Sequence, residues 1–277
     1  MRKTLAIALS FIFILSFSAV AQNESPHKLI QIIKGDVVDF AVDNLDNVYV
    51  LASTDQLKKY NASGDSVAVF NNVKKFGKIS TIDVSNPLKV LLYYKDFSTI
   101  VVLDRLLAIR NTIDLRQQNI FQVNAIGQSY DNNIWLYDEG DSKLKKIDDD
   151  GKLLMETADF RLLFTEAPLV KNICDQEGFV YLYDPRQSVF VFDYYGALRN
   201  KILINGWEDF KVAGKFIFGI NNDTLHRYEI NTFRVDDEKL PGPLTNSLKV
   251  NFTSSRLYAL KKDLLEIYTL VDQAGLF

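Results

Sequence analysis

Six residues with oxygen-bearing side chains recur at intervals of about 40 residues, each inside a short apolar stretch. They are Asp39 in DFAVD, Asp83 in STIDV, Asn124 in VNAIG, Asn172 in KNICD, Asp209 in DFKVA and Asn251 in LKVNF. If the six stretches converge, carboxylate and amide oxygens meet, the donor set a hard divalent cation such as Ca²⁺ prefers. Asp83, Asn124, Asn172 and Asp209 are the candidate metal ligands under that reading, and a metal-assisted hydrolase or lyase is the activity it would serve. A polar lining for a water-filled channel would place the same residue types at the same spacing.

A second set lies in polar turns: Asp55, Asp96, Glu139, Asp141, Asp184, Arg186, Asn222, Asp223, Lys262 and Asp263. Brought onto one face, they form an acidic surface for a cation or a cationic partner. Asp and Asn also populate turns because their side chains cap nearby backbone groups. Phe76, Phe121, Phe164 and Trp207 each stand shortly before one of the apolar stretches. They could form an apolar collar for a peptide or glycan, or pack between neighbouring elements.

Nucleophile and zinc patterns are weak. His27 and His226 have no second histidine at ligand spacing. Cys174, the only cysteine, sits in LVKNICDQ, which reads as a buried strand and an inert thiol. It leaves no partner for an intrachain disulfide.

The elements that must position these residues repeat. NVYVLASTDQLKKYN (47–61) is followed by KVLLYYKDFSTIVVLD (89–104), NIWLYDEGDSKLKKID (133–148), FVYLYDPRQSVFVFD (179–193), KFIFGINNDTLHRYE (215–229) and RLYALKKDLLEIYT (256–269). Each copy is an apolar strand, a polar turn and a second, alternating strand. With the short apolar element before it and a further strand after it, the unit is four strands. That predicts an all-β fold, a six-bladed β-propeller of four-stranded antiparallel blades. The last copy lacks a fourth strand, and KLIQIIKG (28–35) at the other end supplies one. The ring is therefore expected to close with an N-terminal strand, which removes its open edge.

VDNLDNVYVLASTDQLKKYNASGD (42–65) and QSYDNNIWLYDEGDSKLKKIDDDGK (128–152) resemble the repeats of NHL-type and TolB-like six-bladed propellers. The resemblance is one of fold and implies no particular chemistry. The repeats are also distantly similar to lactonase-type propellers. That likeness implies a divalent-cation site of Glu, Asn and Asp on inner strands, but the six inner-strand residues here include no Glu.

Arg2 and Lys3, the run LAIALSFIFILSF and the Ala19-Val20-Ala21 site read as a secretory signal peptide over residues 1–21. Residues 22–277 are then a single propeller domain. The full chain carries −3, and removing Arg2 and Lys3 leaves −5, which disfavours nucleic acid as a partner. No later segment is apolar for long enough to span a bilayer. NES, NAS, NDT and NFT are N-glycosylation sequons, and DSV (65–67) and DTL (223–225) resemble acceptor triplets of bacterial O-glycosylation. Together these features predict an exported, non-catalytic scaffold, periplasmic, outer-membrane-associated or extracellular. It would hold a protein partner in an envelope assembly and need no cofactor.

Overall fold

The computed structural model describes residues 27–71 and 73–270. The segment read as a signal peptide lies outside them. The described residues form six four-stranded antiparallel sheets arranged as a ring of blades. Blade 1 is β2 (Asp39–Val42), β3 (Val48–Leu51), β4 (Leu57–Tyr60) and β5 (Ser66–Phe70). Blade 2 is β6 (Thr81–Asn86), β7 (Lys89–Tyr94), β8 (Thr99–Asp104) and β9 (Ile109–Asp114). Blade 3 is β10 (Val123–Gln128), β11 (Ile134–Asp138), β12 (Lys143–Ile147) and β13 (Leu153–Glu156). Blade 4 is β14 (Asn172–Gln176), β15 (Phe179–Asp184), β16 (Ser188–Asp193) and β17 (Leu198–Ile202). Blade 5 is β18 (Glu208–Ala213), β19 (Phe216–Asn221), β20 (Thr224–Glu229) and β21 (Arg234–Lys239). Blade 6 is β22 (Lys249–Phe252), β23 (Arg256–Lys261), β24 (Leu264–Leu270) and, as its outermost strand, β1 (His27–Lys34). The expected six blades and the closing N-terminal strand are both present, with His27 opposite Leu270 and Lys34 opposite Leu264.

The pattern of each repeat follows from where its strands sit. Second and third strands are flanked by sheet on both sides and packed on both faces, so KVLLYY of β7 and SVFVFD of β16 are buried throughout. Outermost strands face water, and LRNKI of β17 is exposed at four of five positions. The polar turns after the third strands share one device. Asn61, Asp104, Asp148 and Asp193 each accept, through one side-chain oxygen, the backbone N–H groups two and four residues on. In blades 1–4 a short carboxylate or amide at the end of the third strand therefore forms the turn.

The core is a series of layers between blades. Tyr49 and Leu57 of blade 1 pack with Val90, Leu92 and Val101 of blade 2, for example. Where two inner strands approach closely only glycine fits: a Cβ on Gly127 of β10 would stand 2.7 Å from the Ile173 carbonyl oxygen of β14. The up-down strand order gives the ring two unlike faces. One carries the blade-to-blade crossovers and the turns between second and third strands. The other, here the turn face, carries the turns after the first and third strands.

Candidate functional site

The innermost strands β2, β6, β10, β14, β18 and β22 enclose a channel of about 930 Å³. Blades 4, 5 and 6 supply most of its wall, through residues 171–176, 207–214 and 248–254, whereas blade 3 adds only Ile126. The six recurring polar residues all lie on these strands, but at different depths. Asp39 and Asn172 pair across their sheets with Leu51 and Tyr183 near the crossover end, while Asp83 and Asn251 pair with Leu91 and Tyr258 further in.

Most of these side chains are bonded to the wall itself. Asp39 accepts from Lys249 Nζ at 2.7 Å, joining blades 1 and 6. Asp83 accepts the Gln128 N–H at 2.7 Å, joining blades 2 and 3. Asn124 accepts from Lys95 Nζ and donates to Glu139, both at 2.7 Å. Asp209 accepts the Val250 N–H at 2.8 Å, joining blades 5 and 6. Among the described residues, no group of three or more His, Cys, Asp or Glu is placed to hold a metal ion. The candidate ligands Asp83, Asn124, Asn172 and Asp209 come from four different blades.

Burial sets the electrostatics of the wall. It pushes the Asp209 carboxyl up to about 6, against the opposing Val250 N–H and Lys249 charge. It also brings the Lys211 ammonium down to about 8. Lys211 donates to the Phe252 carbonyl and lies 4.9 Å above that ring.

The crossover face holds the acidic turn residues, each doing local work where a bond is formed. Asp55, with a left-handed φ of 58°, accepts from the Ile79 N–H. Asp141 pairs with Lys145, whose ammonium also meets buried Asp138 at 2.7 Å. Asp184 is fully buried, accepting the Leu169 and Arg186 N–H groups, both at 2.8 Å. Arg186 also reaches Glu166 at 3.7 Å. Asp96, Asn222 and Asp263 stand exposed at turn tips. Of the four crossover aromatics, three pack inward: Phe76 against Tyr94, Phe164 against Phe160 and Phe190, and Trp207 on His226. Phe121 alone of the four points to solvent, 62% exposed.

Two of the sequons fall at constrained positions, Asn222 stands exposed, and Asn23 lies outside the described residues. Asn61 caps its own turn and Asn251 lies on an innermost strand. Of the two triplet hydroxyls, Ser66 is exposed on β5 and Thr224 is half-buried.

Sequence reasoning passed over the turn face. There Leu45, Leu88 and Tyr130 occupy equivalent first turns of blades 1, 2 and 3 and are 60%, 62% and 68% exposed. The Tyr130 ring stacks on Tyr194 at 4.5 Å, and Lys146 Nζ lies 4.9 Å from the Trp135 ring and 5.4 Å from Tyr130. Beneath them Asp175 accepts from Tyr194 Oη at 2.5 Å and Trp135 Nε1 at 2.8 Å. The available signal was a large apolar residue inside a polar turn, in DNLDN, SNPLK and SYDNN.

Ring, channel and closing strand define a six-bladed β-propeller. No protein-family model matches the sequence, and no curated protein matches it. Solved structures do. A virginiamycin B lyase from Staphylococcus aureus, catalytically inactive and with quinupristin, shares 13% identity at a TM-score of 0.65, covering 88% of this chain and 99% of that one. A streptogramin B lyase shares 11% at 0.57, with 87% and 97% covered. The Pan2 WD40 domain of Neurospora crassa shares 8% at 0.61, with 89% and 96% covered. At these identities the likeness is one of fold.

Proposed function

We propose that the protein is an exported, non-catalytic propeller that binds a protein partner in a bacterial cell envelope. The observation that carries the reading is the use made of the channel's polar groups. Asp39, Asp83, Asn124 and Asp209 are each bonded to a neighbouring group of the ring, and all four of those bonds join adjacent blades. Side chains so engaged hold blades in register and are poorly placed to turn over a substrate. The S. aureus lyase supports the same reading by contrast, since its histidine-to-alanine variant is catalytically inactive. In this chain His27 is on the outermost strand of blade 6 and His226 on the third strand of blade 5, and neither lines the channel. The WD40 likeness adds that the same ring serves other chains without a shared chemistry. Export rests on the basic, apolar and small-residue order of residues 2–21.

The test is to crosslink the tagged protein in the cells that produce it, fractionate the envelope, and read both its N-terminus and its crosslinked partner by mass spectrometry. A mature start at Gln22 and one dominant protein partner are expected. A cytosolic chain starting at Met1, or an envelope protein with no partner, would overturn the reading. Melting curves with calcium and with chelator are expected to coincide. A rise with calcium that alanine at Asp83 and Asn172 removes would restore the metal-dependent alternative, because a ligand that binds only the folded state must stabilise it.

A further inference from the structure

We infer that the turn face over blades 1–3, centred on Leu45, Leu88 and Tyr130, is the docking surface, and that it takes a basic segment of the partner carrying large apolar side chains. The inference rests on the proposal that a protein partner is bound and names the face and chemistry of that contact.

Three large apolar side chains stand exposed on the equivalent first turns of three consecutive blades. The corresponding turns of blades 4, 5 and 6 hold Glu177 and Gly178, Gly214 and Lys215, and Ser254 and Ser255. Among the first turns, the large apolar residues are therefore confined to three consecutive blades, while Tyr195 and Phe233 stand exposed on third-strand turns of blades 4 and 5.

The footing of this apolar arc is rigid. Asn86 Nδ2 donates to Asn132 Oδ1 at 3.0 Å, tying the turns that carry Leu88 and Tyr130. Lys89 adds bonds to the Asn132 carbonyl and to Asp149. Tyr130 is fixed by its stack on Tyr194 and by the Lys146 ammonium. A surface held in place before binding loses little entropy on binding, and rigid aromatic anchors carry much of an interface's energy.

Charge selects the occupant. Loops 43–47, 61–65, 87–88, 105–108, 129–133 and 148–152 hold seven aspartates against Arg105 and Lys152, a formal −5. Lys89, Lys146 and Arg256 reach in from strands to pair with Asp149, Asp131 and Asp46. Among the described residues Asp65, Asp148 and Asp150 form no ion pair, so an acidic excess borders the apolar arc. The loops of the crossover face hold nine acidic and nine basic residues, so its exposed Leu203 and Leu248 carry no charge signature to say what covers them. An apolar arc with an acidic border fits a segment whose own apolar residues are flanked by Lys or Arg.

A photo-crosslinking amino acid placed at Leu88, or in a second protein at Leu203, tests this in the producing cells. The Leu88 probe is expected to capture a segment with net positive charge and large apolar residues. The yield should fall at least fivefold in a Leu45→Lys, Asp150→Lys background, whose unchanged melting curve shows that the ring is intact. Capture from Leu203 alone would overturn the inference and leave the scaffold reading standing. Capture at Leu88 of a segment without net positive charge, or a yield indifferent to the double substitution, would overturn the inference. Capture from neither site would overturn both.

Discussion

Asp46 on the turn of blade 1 accepts a hydrogen bond from Tyr258 Oη of blade 6 at 2.9 Å, across 212 residues of sequence. Thr253 and Ser255 of blade 6 donate to the same carboxylate at 2.5 and 2.6 Å. The first and last blades are thus joined by one carboxylate with three hydroxyl donors, backed by Arg256 at 3.6 Å.

Asp46→Ala should therefore cost about 1–3 kcal/mol, because it leaves the fully buried Tyr258 without its acceptor. Lys249→Ala, which breaks the partly exposed bond to Asp39 at the same joint, should cost under about 1 kcal/mol. Urea midpoints of the two variants give the comparison. The Asp46 effect should also depend on pH. Burial alone would raise its carboxyl, but the three hydroxyl donors with Arg256 outweigh burial and hold it below the ordinary aspartate range. A depressed value stabilises the fold above the unfolded pKa of about 3.9, and that stability is lost as pH falls through the folded value. The gap between wild type and Asp46→Ala should shrink below pH 4, and a gap that stayed constant would show that the charge contributes nothing.

Gly127 is a position where the ring tolerates no side chain. A Cβ there would press on the Ile173 carbonyl oxygen at 2.7 Å and on its Cβ and Cγ2 at 3.2 Å, and a strand carbonyl is not a flexible group that can yield. Gly127→Ala is expected to destabilise by about 1–3 kcal/mol through overpacking between blades 3 and 4. Gly178, whose Cβ would meet nothing within 4 Å but whose φ is 89°, isolates backbone strain alone as the control. Equal losses at the two glycines would remove the case for close inner-strand packing.

These two cases show what the sequence disclosed. Periodicity located all six blades, because burial on both faces forces apolar runs on second and third strands and the third-strand turns of blades 1–4 use Asp or Asn. The closing strand was legible because KLIQIIKG is an apolar segment with no other place in a four-strand count. The candidate site was less legible. Asp184 and Asp96 occupy equivalent turns and are the same residue type, yet one is buried, accepting the Leu169 and Arg186 N–H groups, and the other is exposed. Residue type gives the preference for a turn, not the direction in which the carboxylate points. Leu45, Leu88 and Tyr130 were hidden for the opposite reason, as apolar residues scattered singly in loops carry no signal until three blades place them side by side.

Lys145 makes a buried ion pair with Asp138, the two side chains 5% and 4% exposed. Burial by itself would lower the lysine, and the bonds to Asp138 and Asp141 more than reverse it. Lys145→Met leaves the Asp138 carboxylate buried without its cation and should cost about 3–5 kcal/mol. Adding Asp138→Asn should recover part of the loss, since a neutral amide tolerates burial better and keeps an oxygen for the Gly140 N–H. A double-mutant cycle by denaturant unfolding measures the coupling, and strictly additive losses would mean the two side chains do not depend on each other.

Cys174 supplies a chemical test of the packing between blades 4 and 5. It lies on β14 in the channel wall and packs against the layer formed by Tyr181, Ile217 and Tyr228. Burial pushes its thiol up to about 12, and the negative charges of Asp83 and Asp175 act in the same direction. Thiolate is the reactive form, so at pH 8 only about one molecule in ten thousand is competent to attack a disulfide reagent. The folded protein should therefore react with an aromatic disulfide far more slowly than a free thiol, although the channel admits small molecules. Guanidinium should release one equivalent at the rate of an ordinary cysteine. Rapid labelling of the native protein would instead mean that its surroundings do not hold the thiol protonated.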